Sequence, residues 1–322
     1  MLQEVLRKTV LLGALLALVS VTAWCAPKPL VVRYAYQPGN PQIVIARDKG
    51  WLKDEFEKDN VTFKIAKFAS GPAVIEALTG GQLDFAQAGD QPILQAKANN
   101  VAIRIIAEYA ATEKGEVLLA TKKSGIKSIA DLKGKKVGVT VGALTHQLLY
   151  IFLNSVGLKV DDIQLINLQP AEIRSSLESN NIDAGITWEP TVSQILSSGN
   201  TVKITDATGY KNCVMVIASP QTFLKEHGDI TVRLLKVLDK TVKWIKANRD
   251  EAIAIVAKDT GLDKSLIEPV FNTSTFDLAI PDKDVQSIKD TATFIHEHKI
   301  IRKTVNVNQL IDRSYLRKAG IQ

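Results

Sequence analysis

Residues Gly142-Ala143-Leu144-Thr145-His146 join a short β-branched run, Lys136–Val141, to a helical run that starts at once. A helix N-terminus carries free backbone N–H groups, and a strand-to-helix turn aims several of them at one point. With the Thr145 hydroxyl and the His146 ring beside them, this loop offers donors to a small anion. Three upstream loops have the same construction: Tyr36-Gln37-Pro38-Gly39-Asn40-Pro41, Ala69-Ser70-Gly71-Pro72 and Ala88-Gly89-Asp90-Gln91-Pro92. Each ends a strand-like run and leads into a helical one, with proline near a first helical position, where its missing N–H costs nothing. Any single turn of this kind also suits simple βα packing. Together, opening beyond the carboxyl ends of parallel strands, they make a site rich in donors and poor in acceptors. Hydrogen bonds to a charged group contribute about 1.5–3 kcal/mol each. Four or five of them reach about −8 kcal/mol after ordering costs, which is micromolar affinity.

Trp188-Glu189-Pro190 ends another strand that should open toward the same cleft. Trp188 can cover an alkyl chain or belong to the core; Glu189 can meet an ammonium group or begin a solvated helix. Asp90 either closes its own turn or touches ligand, and His146 donates or braces rather than acting as a base. His296 and His298 fall on different faces of a helix, which is wrong for chelation. No nucleophile elbow, phosphate-cradling Gly-Lys-Ser loop or paired-carboxylate constellation is found. No metal, cofactor or catalytic residue is therefore expected.

The chain must position these loops with 322 residues. Arg7 and Lys8, an apolar run Val10–Val21 and small residues up to Ala26 read as a signal peptide over residues 1–25. The run is shorter than the roughly 20 residues of a membrane span. Cys25 raises the alternative of a lipid anchor, which Trp24 before it disfavours. The only other cysteine, Cys213, lies in an apolar run and reads as a core residue, so disulfide stapling is not expected. The net charge of +6 is spread along the chain without a basic block, which argues against nucleic acid as a partner.

From Leu30 onward, β-rich runs alternate with helical ones: Leu30–Tyr36, Val61–Phe68, Leu83–Ala88, Ile103–Tyr109 and Val117–Thr121, then Lys136–Val141, Ile163–Leu168 and Ala184–Thr187. Two successive βαβ sets predict an α/β chain of two three-layer lobes on parallel-rich sheets. Ser128-Ile129-Ala130-Asp131 reads as a capping box closed by Gly134. Beyond Ser219 helices dominate, and Val232, Leu235, Val237, Leu238, Val242 and Ile245 form an amphipathic stripe.

Phe68-Ala-Ser-Gly-Pro-Ala-Val-Ile-Glu-Ala-Leu78, Gly81-Gln-Leu-Asp-Phe85, Gly89-Asp-Gln-Pro92, Ile126–Val139 and Leu165-Ile-Asn-Leu-Gln-Pro-Ala171 resemble the substrate-binding proteins of ABC importers for aliphatic sulfonates and taurine. The resemblance implies a type II periplasmic-binding-protein fold that closes about a hinge. Lobe 1 would be discontinuous, 26–121 and 218–322, and lobe 2 would be 122–217, with crossings near Thr121 and Ala218. It also implies anion contacts from Gln37, Ser70, Gly71, Gly89, Asp90 and the Gly142, Ala143, Leu144, Thr145, His146 loop, with Trp188 and Glu189 lining the pocket. The implied protein is a periplasmic monomer that hands a small sulfonate to a membrane permease. Nitrate, bicarbonate and pyrimidine-precursor binders share the architecture, as do a thiamine-pyrimidine synthesis enzyme and ligand-sensing modules. Two departures bear on the ligand. Ala143-Leu144 stands where sulfonate relatives often have serines, and Glu189 where many have aspartate.

Overall fold

The computed structural model describes residues 29–321. The expected leader over 1–25, Cys25 included, lies outside the described residues. The first run of elements is β1 (Leu30–Tyr36), α1 (Pro41–Asp48), α2 (Trp51–Phe56), β2 (Val61–Lys67), α3 (Gly71–Thr79), β3 (Phe85–Gly89), α4 (Asp90–Ala98) and β4 (Ile103–Thr112). The second is β5 (Glu116–Thr121), β6 (Lys136–Val139), α5 (Leu144–Ser155), β7 (Gln164–Asn167), α6 (Pro170–Glu178), β8 (Ala184–Trp188), α7 (Thr191–Ser197) and β9 (Thr201–Asp206). The chain then returns through β10 (Cys213–Pro220), α8 (Gln221–Glu226), α9 (Gly228–Ala247), α10 (Arg249–Thr260), α11 (Lys264–Thr273), β11 (Ser274–Thr275), α12 (Asp282–Glu297), α13 (Val307–Leu310) and α14 (Ser314–Ala319).

These strands form two sheets, ordered β11-β4-β10-β3-β1-β2 and β7-β6-β8-β5-β9. In each, three strands run parallel: β1 pairs with β2 and β3, and β6 with β7 and β8. Each also holds one antiparallel strand in its interior. β10 lies between β3 and β4, and β5 between β8 and β9. Every residue of β5 is buried, as expected of a strand covered on both faces. The result is two lobes with helices on both faces of a parallel-rich sheet.

Sheet membership corrects the expected crossings. Glu116–Thr121 bonds to the second sheet and Cys213–Pro220 to the first, so the chain changes lobes over 113–115 and 207–212, not near Thr121 and Ala218. Both interior strands are plain apolar runs, and nothing in such a run says which sheet will take it. The β9 strand was missed, although Thr201-Val202-Lys203-Ile204 alternates in the strand manner.

The larger core belongs to the first sheet, where α8 to α14 wrap it. Val237, Leu238, Val242 and Ile245 of the predicted α9 stripe are buried in it together with Leu235, whereas Val232 is not among the buried residues. The second sheet has separate cores on its two faces, one built on Leu148, Phe152 and Val137, the other on Ile173, Leu177 and Ile195. The Asp131 carboxylate accepts from the Lys127 and Ser128 N–H groups at 3.0 and 2.9 Å and caps the short turn read from sequence. Among the described residues no helix is long and apolar enough to cross a membrane.

Candidate functional site

The carboxyl ends of β1, β3, β6 and β8 face one another across a cleft between the lobes. Its walls include Gln37, Asn40, Gly71, Gly89, Tyr109 and Met215 from the first lobe, and Glu116, Ala143, Leu144, Thr145, Trp188 and Glu189 from the second. Val270 and Phe276 add an apolar side. The helices α3, α4 and α5 therefore begin at this cleft, each directly after a strand or its turn.

The lobes meet around it. A Cβ on Gly89 would stand 3.1 Å from Leu144 Cβ, so the bare α-carbon lets the two helix starts approach. Gly39 has φ +90°, and a Cβ there would lie 3.0 Å from Pro190 Cδ. Only glycine combines that left-handed backbone with that approach at no steric cost. The Gln147 N–H donates to Gln91 Oε1 at 3.2 Å across the lobes, and Tyr150 sets its ring edge-on against Phe294 at 5.7 Å. The structure is closed.

Two hydroxyls beside the helix starts are buried with no hydrogen-bond partner, Ser70 Oγ and Thr145 Oγ1. Ser70 is fully buried at the cap of α3, and Thr145 is 1% exposed in the first turn of α5. Gln37 donates to the Gln87 carbonyl at 3.4 Å, and Asn40 to Gln87 Oε1 at 3.3 Å, which fixes the first loop on β3.

Of the residues expected at the site, Gln37, Gly71, Gly89, Ala143, Leu144, Thr145, Trp188 and Glu189 line the cleft. Ser70 lies immediately behind Gly71. Three others are placed differently. Asp90 points into the protein, accepts 2.5 Å from the Thr291 hydroxyl, and pairs with Lys211 Nζ at 3.4 Å. Lys211 also donates to Thr291 and Ser287 at 2.7 and 3.1 Å. This buried pair offsets a carboxylate that would otherwise oppose an anion at the start of α4. Gly142, at φ +85°, lies against Gln95 and Pro72 of the first lobe rather than on the cleft wall. His146 is buried with its ring edge-on to Tyr150 at 5.2 Å, and burial lowers its imidazole to about 4. It braces the loop as a neutral ring.

The site is less acceptor-poor than the loops alone imply. Glu189 is half-buried, and its Oε2 accepts from the Ser193 N–H at 3.1 Å, capping α7. Burial raises its carboxyl above the ordinary range. Glu116, which sequence reasoning missed, is 5% exposed, and burial pushes its carboxyl up to about 8. The signal was present as a single charge opening an otherwise apolar run, Glu116-Val-Leu-Leu-Ala120. Tyr109, also missed, carries a phenol that burial holds well above its usual range. Cys213 is fully buried, and burial pushes its thiol well above the range in which a thiolate forms.

Comparison with known proteins agrees with this architecture. The NMT1/THI5-like family model matches residues 37–252. A Bacillus subtilis protein described as an aliphatic sulfonates-binding protein is 33% identical over 291 residues, covering 89% of this chain and 87% of its own. The crystal structure of the periplasmic aliphatic sulphonate binding protein SsuA from Escherichia coli superposes with a TM-score of 0.76 at 26% identity, over 91% of this chain and all of that one. The alkanesulfonate-binding protein SsuA from Xanthomonas axonopodis pv. citri, bound to MOPS, shares the fold with a TM-score of 0.82 at 24% identity, over 90% of this chain and all of that one. With a family match over most of its length and a relative aligned nearly end to end, the chain belongs to the NMT1/THI5-like family.

Proposed function

We propose that this protein is the extracytoplasmic substrate-binding component of an ABC importer, a monomer that captures a small organosulfonate between its lobes and delivers it to a membrane permease. The observation that carries the reading is the meeting of three helix N-termini with the unpartnered hydroxyls of Ser70 and Thr145 at one interlobe cleft. A sulfonate has three acceptor oxygens and no proton to give. It therefore matches N–H and O–H donors without requiring a base. The sulfonate-binding names of the relatives support the same ligand class, and their periplasmic setting agrees with the leader read from residues 1–25.

Closure supplies the mechanism. The first lobe contributes the starts of α3 and α4, and the second contributes the start of α5. Only the closed form brings these donors to one anion, so ligand shifts the equilibrium toward it. Trp188 then covers the carbon chain, and lobe positions in the closed form signal occupancy to the permease. The buried, unreactive thiol of Cys213 and its place outside the cleft wall favour binding over covalent chemistry.

Calorimetric titration of the refolded, ligand-free protein tests the reading. Ethanesulfonate is expected to bind with micromolar affinity, and nitrate and bicarbonate at least about tenfold more weakly, because they are planar rather than pyramidal and have no alkyl group to lie against Trp188. Tight nitrate or bicarbonate binding with no heat from sulfonates would overturn it.

A further inference from the structure

Tyr150 lies in the middle of α5, roughly 9 Å along the axis from the helix start that faces the anion. It is not part of the cleft wall, and neither are Phe294 and His298 of the other lobe. Its half-buried ring nevertheless reaches across the lobes, edge-on to Phe294 at 5.7 Å and to His298 at 5.0 Å. Phe294, near the end of α12, and His298, one turn later, have ring centroids 4.2 Å apart and present a single shelf. On its own helix Tyr150 sets its ring against His146 at 5.2 Å. Gln147, on the same face of α5, donates its N–H to Gln91 Oε1 of the first lobe at 3.2 Å. That face thus carries one polar and one aromatic contact to the first lobe, both outside the cleft wall.

The aromatic contact needs the closed form. When the lobes swing apart, α5 leaves with the second sheet and α12 stays with the first, so both cross-lobe ring pairs separate. The His146 pair survives, because both of its rings ride on α5. Closing therefore gains two ring pairs that no ligand touches. Together, pairs of this kind correspond to about a 5- to 150-fold shift in the closed-to-open ratio. Tight binding requires donors from both lobes, so apparent affinity follows the population of the closed form. In that form the shelf also backs Tyr150 against His146, the neighbour of Thr145, whose hydroxyl has no partner.

We propose that Tyr150 is a positioning residue for ligand capture, which latches the second lobe onto the Phe294–His298 shelf and so sets affinity and residence time from outside the cleft. The proposal takes its probe from the sulfonate reading above and its mechanism from lobe closure. A ligand held between closed lobes leaves only when they open, so the latch acts mainly on dissociation.

The test is calorimetry and stopped-flow dissociation of ethanesulfonate from variants of the ring cluster. Tyr150→Ala, which loses both pairs, should weaken binding by about 5- to 150-fold, mostly through faster dissociation. Phe294→Ala, which loses one, should weaken it by about 2- to 12-fold. Tyr150→Phe keeps the ring and should stay within about twofold of wild type. The double alanine variant should bind no more weakly than Tyr150→Ala alone, because the partners share one contact. His298→Ala, at an exposed position, supplies the same comparison if Phe294→Ala folds poorly. Unchanged affinity and dissociation in Tyr150→Ala overturn the latch and leave the sulfonate reading standing. A loss in Tyr150→Ala with none in Phe294→Ala or His298→Ala also overturns it, because Tyr150 then serves only to brace His146 within its own lobe. If wild type does not bind ethanesulfonate, the sulfonate reading falls, and the same ratios measured with nitrate or bicarbonate, whichever binds, decide the latch. Silence with all three anions overturns both.

Discussion

The two lobes share a strand order, with three parallel strands, one antiparallel strand inserted by a chain crossing, and an outer strand beyond it, to which the first lobe adds β11 at its edge. They do not share a chemistry. The first lobe offers the cleft backbone donors and buried hydroxyl, and the one acid at its helix starts, Asp90, is turned inward onto Lys211. The second lobe offers one helix start and keeps its acids, Glu116 and Glu189, on the cleft wall. The same scaffold has thus been made purely attractive to an anion on one side and two-ended on the other. Electrostatic treatment of individual residues, rather than topology, separates the lobes.

The comparison is broken most severely at Lys211. In Lys211→Met, Asp90 stays buried without its cation, and breaking such a pair costs about 3–5 kcal/mol. Urea unfolding should show that loss, and the remaining folded protein should bind sulfonate poorly because an unpaired carboxylate now sits at the start of α4. Adding Asp90→Asn should recover much of both. If the single variant is as stable as wild type, the pair is not what makes the first lobe hospitable to an anion.

Donor removal comes next. Ser70→Ala and Thr145→Val delete one hydroxyl each from opposite lobes, and a hydrogen bond to a charged partner is worth about 1.5–3 kcal/mol. Each should weaken ethanesulfonate binding by roughly 10- to 150-fold while leaving the melting temperature of the ligand-free protein unchanged or slightly higher. A loss confined to one variant would show that one lobe alone holds the anion.

Smaller still is the effect of Gly89→Ala, which adds a methyl 3.1 Å from Leu144 on the facing lobe. Crowding of this kind costs about 1–3 kcal/mol, and here it falls on the closed form only. Affinity should drop by about tenfold or more, and small-angle scattering should show a more open molecule at saturating ligand than wild type. An unchanged affinity would mean that the helix starts do not need to meet this closely.

Much of this was legible before any coordinates. The β-rich runs and the proline-marked helix starts follow from period and turn chemistry, and they lead to the four loops that flank the cleft. The sequence reading failed where the deciding fact was long-range. Asp90 looked like a turn or ligand residue because its partners, Lys211 and Thr291, are far away in the chain. His146 read as a donor or a brace, and what makes it a brace is the Tyr150 ring one helical turn on, which packs in turn against the distant Phe294 and His298. The crossings were misplaced because the two inserted strands are apolar on both faces and carry no mark of their sheet. Glu116 was overlooked for the same reason, as the polar first residue of a run whose position in the second sheet was unknown.

Stability against pH sets the lobes against each other once more. In the second lobe, His146 stays neutral down to about 4 when folded but takes a proton below about 6.5 when unfolded. The unfolded chain binds more protons in that window, so this residue removes stability as pH falls from about 6.5 to 4. In the first lobe, burial, helped by nearby Asp284 and Asp277, raises the Glu108 carboxyl to about 9. Here the folded chain binds more protons, so stability is lost as pH rises from about 4.5 to 9. Urea midpoints across that range should therefore fall less steeply toward acid in His146→Phe than in wild type, and less steeply toward alkali in Glu108→Gln. The two residues are on different lobes, so the double variant should show both changes added with little coupling. A large coupling would mean that the closed interface, where Tyr150 of the second lobe meets Phe294 and His298 of the first, transmits charge-state changes from one lobe to the other.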